Sequence, residues 1–330
     1  MVLPFEKVER EVFVRSEAET DPTYGQDPNE RSVEGLLEYG IITLNKPQGP
    51  TSHQIVDFVK KILHLKKAGH SGTLDPNVTG VLVVALEKVT RSIDILLKSG
   101  KEYVCLMKVH ADLDEKTIRE FSETFIGKIE QLPPVKSAVK RQLRTREIYY
   151  IEILEIDGRN VLFKVGCQAG TYIRKLCTDW GQAMGTKAHM HELVRTKVAH
   201  FTQENWVSLH DLKDAYVEWK EEGDEKLLRK YIQPVEKIVE TLPHIWMFDS
   251  AVDAVCHGAF LSVPGISKLT SDVNVNDTVA LMTLKNELVG IGQAKMNAQN
   301  MLRQEKGIAV GNTRIFMPRG TYPKYKREDA

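Results

Sequence analysis

This 330-residue chain predicts an α+β fold followed by a small all-β domain. Three observations carry that reading. Apolar residues at helical spacing alternate with β-branched runs through most of the chain. The stretch Val81 to Leu86 reads as a core strand buried on both faces. After Pro243 the texture changes to short apolar runs punctuated by Gly and Asn.

Length and composition set the frame. The chain is long enough for about two domains and a sizeable core. Its 42% hydrophobic and 27% charged content is that of a globular protein. No apolar run approaches the roughly 18 residues of a membrane span, and the opening MVLPFEKVEREVFVR has acids among its bases and no apolar core, so it is not a signal peptide. A cytoplasmic location is expected. The 4 cysteines, Cys105, Cys167, Cys177 and Cys256, form no C-x-x-C pair, which points to packed thiols and away from a zinc site or a disulfide framework. The 45 basic and 45 acidic residues cancel, so nucleic-acid binding would need a local basic face.

Taken in order, residues 1 to about 35 mix charge with Pro, Gly and Asp, and read equally as a mobile tail or as an ordered arm. A strand from Gly40 to Leu44 leads to Thr51 and Gln54, a capping-box pair opening a helix whose core face is Ile55, Phe58, Val59, Ile62 and Leu65. Lys46, just before it, would meet phosphate or be solvated. A helix from about Thr90 to Leu97 ends at Ser99-Gly100. In the strand that follows, Tyr103, Cys105, Met107 and Val109 share one face. Residues 111 to 132 read as a helix burying Ile118, Phe121 and Phe125. After Pro133-Pro134 comes the densest basic run, Lys136, Lys140, Arg141, Arg144 and Arg146, either a solvated surface or a set of phosphate contacts. Strands from about Ile148 to Ile156 and Val161 to Cys167 are joined by Asp157-Gly158, a hairpin signal. Gly170-Thr171 then opens a helix with Ile173, Leu176, Trp180 and Ala183 on its apolar face, and His189 and His191 on different faces, which gives a metal little support. Residues 211 to 233 read as a solvated charged helix. Strands are expected at Phe260 to Pro264, Thr278 to Leu284, Leu288 to Ile291, Gly307 to Val310 and Arg314 to Met317.

Two positions stand out chemically. Asp75, in HSGTLDPNVTGVLVVAL from His70, lies on a tight loop feeding the strand Val81 to Leu86; the bland reading is an Asx-turn. Arg174 sits in the first turn of its helix, where a cation opposes the helix dipole, so an anionic partner explains it better than helix stability does. Asp75 is the partner expected.

The wording of several stretches resembles the TruB and dyskerin family of pseudouridine synthases: LNKPQGPTSHQIV from Leu44, HSGTLDPNVTGVLVVAL from His70, KEYVCLMKV from Lys101, PPVKSAVKRQLRTREIYYIEILEIDGR from Pro133 and GTYIRKLCTDWGQAMGTKAHMHELVRTK from Gly170. AVCHGAFLSVPGI and ELVGIGQAKMN resemble the PUA domain. The similarity covers almost the whole chain. It is nearest to the archaeal type that forms the catalytic subunit of H/ACA ribonucleoproteins.

The resemblance implies a catalytic domain with a mixed, largely antiparallel sheet plus a PUA barrel, divided as an N-terminal arm at 1–39 that packs on the PUA domain, a catalytic domain at 40–245 and a PUA domain at 246–330. It implies that Asp75 is the catalytic residue, that Tyr103 stacks on the target base and that Leu193 lines the uracil pocket. His70 would contact RNA near the flipped nucleotide or stabilise its turn. The partners implied are a guide RNA, ribosomal RNA and tRNA, together with a small zinc-ribbon protein, a glycine/arginine-rich accessory protein and a kink-turn-binding ribosomal-type protein. No cofactor or metal is required. Val83 departs from the family pattern where Pro is common, as do Cys177, Asp179 and Trp180 where Ile and His are frequent; these are scaffold positions.

The chemistry fits a single carboxylate. Hydrolytic glycosidases usually need two carboxyl groups, whereas isomerising uridine requires breaking the bond from C1′ to N1, turning the retained base and joining C1′ to C5. Asp75 would be the nucleophile at C1′ or a base that starts elimination, with Arg174 holding it ionised. The target base must be flipped out, and Tyr103 offers it a surface. A non-catalytic RNA-binding scaffold is the competing reading, and an Asp-dependent nucleosidase a weaker one for want of a second carboxylate.

Overall fold

The computed structural model describes residues 2–133 and 142–324. They form two compact units, one built from the residues up to Lys7 and from Ile42 to Ile232, the other from Val8 to Ile41 and from Gln233 onward.

The second unit takes the first elements. Strand β1 (Val12–Val14) pairs antiparallel with the strand Ile266–Thr270, and helix α1 (Val33–Tyr39) is opened by the Ser32 hydroxyl accepting from the Gly35 N–H. The Arg10 guanidinium meets Asp272 at 2.7 Å, and Arg31 makes a two-pronged bond with Glu236, both oxygens at 2.7 Å.

The chain then passes through β2 (Gly40–Lys46) into the first unit. Helix α2 (Ser52–Ile62) begins with the expected reciprocal capping box between Thr51 and Gln54. Its buried face is Ile55, Val56 and Val59, while Phe58, expected in the core, is 38% exposed. Strands β3 (Ala68–His70) and β4 (Thr79–Leu86) follow, and β4 is buried at every position from Gly80 on. A 3-10 turn precedes α3 (Ile93–Lys98), which leads into β5 (Lys101–Val109).

The single helix expected over 111–132 is instead α4 (Glu115–Glu123) followed by β6 (Gly127–Gln131). Gly127 has a φ of +100°, which ends helical geometry, and the residues after it alternate in exposure as a strand does. Strands β7 (Arg144–Asp157) and β8 (Asn160–Cys167) make the hairpin signalled by Asp157-Gly158.

Helix α5 (Ile173–Ala183) buries Ile173, Leu176, Cys177 and Trp180 but leaves Ala183 exposed. Trp180 is fully buried, its ring edge-on to Phe163 at 5.2 Å. The helix stops at Gly185, and His189 and His191 lie on strand β9 (Ala188–Val198), not on a helix. On a strand, residues two apart share a face, so the expectation of different faces is corrected. Strand β10 (Phe201–Thr202), helices α6 (Leu209–Glu222) and α7 (Lys226–Tyr231) and strand β11 (Ile232–Pro234) complete this stretch. Helix α6 is not a purely solvated face, because it buries Leu212, Ala215, Tyr216 and Trp219.

The sheet of the first unit runs β2-β4-β9-β5-β8-β7-β6, with β3 also pairing β4 and β10 pairing β9. The β4–β9 pair is parallel, while β5 pairs antiparallel with both β9 and β8. The sheet is therefore mixed and largely antiparallel.

The second unit resumes with β12 (His244–Met247), α8 (Asp249–Cys256), β13 (Leu261–Ser262), β14 (Ile266–Thr270), β15 (Thr278–Met282), β16 (Leu288–Ala294), α9 (Ala298–Arg303) and β17 (Ile308–Ile315). Its strand order is β1-β14-β12-β15-β16-β17-β13, around a core that includes Ile245, Leu269, Leu281 and Val310. The two runs expected as separate strands at Gly307 to Val310 and Arg314 to Met317 belong to the single strand β17, whose irregularity includes Asn312 at φ +52°. All four cysteines are free and buried. Among the described residues no helix is long and apolar enough to cross a membrane.

Candidate active site

The loop between β3 and β4 carries Asp75, and its path is set by main-chain bonds. The Val78 N–H donates to the Asp75 carbonyl at 3.0 Å, closing a turn, while the carboxylate itself is bonded by the Arg174 guanidinium. The Asx-turn reading thus yields to an ion pair across 99 residues of sequence. Both partners remain about half exposed, 52% for Asp75 and 50% for Arg174. Arg174 reaches the loop because α5 starts beside it, and that start is held by Gln131, whose amide accepts from the Tyr172 N–H at 2.9 Å and donates to the Tyr172 carbonyl at 3.2 Å.

The base of the loop is pinned from several sides. The Ser52 hydroxyl accepts from the Leu74 N–H at 2.9 Å. Lys46 is fully buried, and its ammonium donates to the carbonyls of Pro47, Pro76 and Val78 at 2.9, 3.1 and 2.9 Å. Neither of the expectations for Lys46 holds. All three of its donors are spent on carbonyls, so it is neither solvated nor available to phosphate, and burial lowers its pKa. Arg195, also buried, donates from Nε to the Val81 carbonyl at 2.8 Å and from Nη2 to the Gly72 carbonyl at 3.1 Å.

Tyr103 lies on β5 opposite Arg195 on β9, and Cys105 lies opposite Leu193. Tyr103 and Leu193 are partly buried and pack against the core that contains Cys105, Phe163 and Trp180. Burial raises the Tyr103 pKa, and the nearby Arg195 guanidinium works against that rise. His70 accepts from the Gly72 N–H at 3.3 Å and meets the His53 ring edge-on at 4.9 Å. Burial and its neighbours His53 and Arg195 lower its pKa to about 4, so the ring is neutral at pH 7 and serves the turn.

Of the basic run, Lys136, Lys140 and Arg141 lie outside the described residues. Arg144 and Arg146 are on β7, and Arg146 lies against Gly170 ahead of α5. Arg195, Gln131 and Ser52 were not singled out from the sequence. For Arg195 a signal existed, since it stands two residues from Leu193 and so shares its face on a strand, but the segment was read as helix.

A half-exposed loop carboxylate paired with an arginine on a neighbouring helix, on a loop held by the same buried Arg195 that lies against the Tyr103 phenol, is the arrangement of an enzyme site open to solvent. The chain belongs to the TruB family of pseudouridine synthases. Residues 60–173 match the TruB family pseudouridylate synthase N-terminal domain, 174–240 the tRNA pseudouridylate synthase B C-terminal domain, 243–316 the PUA domain and 2–56 the DKCLD domain. The "Probable tRNA pseudouridine synthase B" of Pyrococcus horikoshii is 57% identical over 96% of this chain and 96% of its own, and that of Methanopyrus kandleri 54% identical over 98% and 95%. Among solved structures, a chain of a Cbf5-Nop10-Gar1 complex is similar at TM-score 0.93 and 55% identity, covering 98% of this chain and 99% of that one. A chain of an H/ACA RNP bound to a substrate RNA containing 2'-deoxyuridine is similar at TM-score 0.92 and 52% identity, with the same coverage.

Proposed function

We propose that this pseudouridine synthase acts as the catalytic subunit of a guide-RNA-directed H/ACA ribonucleoprotein, converting uridine to pseudouridine in ribosomal RNA, and that it also modifies the T-loop uridine of tRNA on its own. The observation that carries the reading is the Asp75–Arg174 pair, half exposed on a loop anchored by buried groups. In the reaction Asp75 acts at C1′ as nucleophile or takes a proton from the sugar to start elimination; both use the same carboxylate. Arg174 orients it. The C1′–N1 bond breaks with its electron pair staying on N1, the uracil turns against Tyr103 and Leu193, and C5 bonds to C1′ as the carboxylate is released or the sugar proton is returned, after which the C5 proton is lost and N1 is protonated. Atoms and electrons balance without an oxidant, so the isomerisation calls for no cofactor.

The similarity to chains solved in Cbf5 complexes with Nop10 and Gar1, and to a chain of an H/ACA RNP bound to substrate RNA, supports protein partners of those two kinds and an RNA substrate held in a ribonucleoprotein. A kink-turn-binding ribosomal-type protein completes the expected set. The basic segment Lys136 to Arg146 would hold RNA backbone, with the arm at 1–39 and the PUA domain at 246–330 placing the guide around the catalytic domain at 40–245. We place the assembly in the cytoplasm. A scaffold without activity would have no use for a surface carboxylate held by an arginine.

The test is Asp75→Asn, assayed on tRNA alone and then on ribosomal RNA with guide RNA and partner proteins. Pseudouridine formation should vanish in both assays while RNA affinity stays within about twofold. Near wild-type conversion by the variant would sink the assignment of Asp75, and absence of conversion by the wild-type chain in both assays would favour the scaffold.

A further inference from the structure

Arg195 is among the largest side chains that the fold buries completely, at 1% exposure. Among the described residues no carboxylate pairs with it, and Lys46, a second buried cation, lies near enough for the two charges to be felt. Burying a charge without a counter-ion is costly, and an apolar side chain of similar volume would usually serve stability better. What Arg195 does with its donors is therefore informative. They bracket Asp75: one holds the carbonyl of Gly72, three residues before it, and another that of Val81, six residues after it. The same guanidinium lies against the Tyr103 phenol, which faces it in the β5–β9 register. Gly80 makes the arrangement possible. At φ +107° it brings β4 so close to β9 that a Cβ there would fall 2.2 Å from the Arg195 carbonyl oxygen.

We propose that Arg195 is a positioning residue for the isomerisation, fixing the Asp75 loop and the Tyr103 phenol as one body. This rests on the roles given above to Asp75 and Tyr103. The carboxylate that acts at C1′ and the ring that carries the turning base must keep their separation while the base rotates, since small misplacements of reacting groups cost large factors in rate. A guanidinium fork can hold two carbonyls and a phenol at once. A lysine ammonium can carry the charge but not the planar fork. Lys46 makes a useful contrast, because it grips the same loop at Pro76 and Val78.

The experiment pairs Arg195→Lys with Tyr103→Phe in the full chain, assembled with guide RNA and partner proteins. Arg195→Lys should lower kcat at least tenfold with KM for RNA within about twofold. The loss from Tyr103→Phe should be smaller in the Arg195→Lys background than in the wild type, because coupled residues do not add. Wild-type kcat in Arg195→Lys, or two losses that simply multiply, would overturn the proposal. Should Arg195→Lys fail to fold, hydrogen exchange on Tyr103→Phe decides the matter. Faster exchange of the amides between Gly72 and Val81 supports coupling through Arg195, and unchanged exchange rejects it. The exchange result stands whether or not the chain makes pseudouridine, so its failure is separable from failure of the assigned activity.

Discussion

At Arg174 the energetics separate function from stability. A half-exposed ion pair contributes only about 0.2–1 kcal/mol to folding, so Arg174→Ala should unfold within a few degrees of the wild type while pseudouridine formation falls roughly a hundredfold or more. Thermal unfolding and a single-turnover assay check the two halves; a collapse in stability with activity retained would make Arg174 structural. His70 allows a test by pH. Its pKa is depressed to about 4 in the fold against 6.5 unfolded, so between those values the unfolded state binds more protons and stability is lost as pH falls. In His70→Gln the unfolding midpoint should fall less steeply than in the wild type from pH 6.5 to pH 4, and identical slopes would contradict the shift. The pairing of Asp75 with Arg174 was legible because a cation at a helix start needs an anion. The burial of Lys46 was not, since its partners are backbone carbonyls, which every residue has and no side chain advertises.

Among the elements, α5 and β9 do most to shape the site. Helix α5 was readable from its 3.6-residue apolar spacing, and its anchor is Trp180, packed on Phe163 and near Phe125. Trp180→Ala should cost about 3–5 kcal/mol by leaving a cavity. Trp180→Phe should cost distinctly less, because among the described residues the indole N–H has no hydrogen-bond partner and its removal relieves a buried donor. Denaturant unfolding of both variants measures this, and equal losses would mean the indole N–H is satisfied in solution. Strand β9 was misread because KAHMHELVRTK follows a helix with Gly185 as the one breaker in the short link Met184 to Thr186, and its alternating polar residues lie beside central strands where local pattern is weak. Pairing with β5 along its whole length overrides that ambiguity.

For the molecule as a whole, the part of the arm from Val8 on and the C-terminal segment fold as one unit, with β1 as an edge strand and Arg31 bound to Glu236. Those two side chains are only 8% and 12% exposed, and Glu236 also accepts from the Leu288 N–H at 2.9 Å. Arg31→Ala leaves a buried carboxylate without its cation, a change that costs about 3–5 kcal/mol. Calorimetry should show a lowered transition, and reduced protection of β1 and β14 amides in hydrogen exchange would place the loss in this unit. A transition within a degree of the wild type would show that the pair is dispensable.

The sequence by itself determined the family, the strand-rich texture of the C-terminal segment though not its helices α8 and α9, the capping box at Thr51, the hairpin at Asp157-Gly158 and the pairing of Asp75 with Arg174. Each of these rests on local spacing, turn chemistry or a motif read over a few residues. Only the tertiary structure decided that β6 and β9 are strands, that Phe58 faces out and that Lys46 and Arg195 hold the Asp75 loop from beneath. The physical reason is common to all of them. Strand pairing and burial are set by partners distant in sequence, and a buried cation gripping main-chain carbonyls leaves no mark on the residues that accept its bonds.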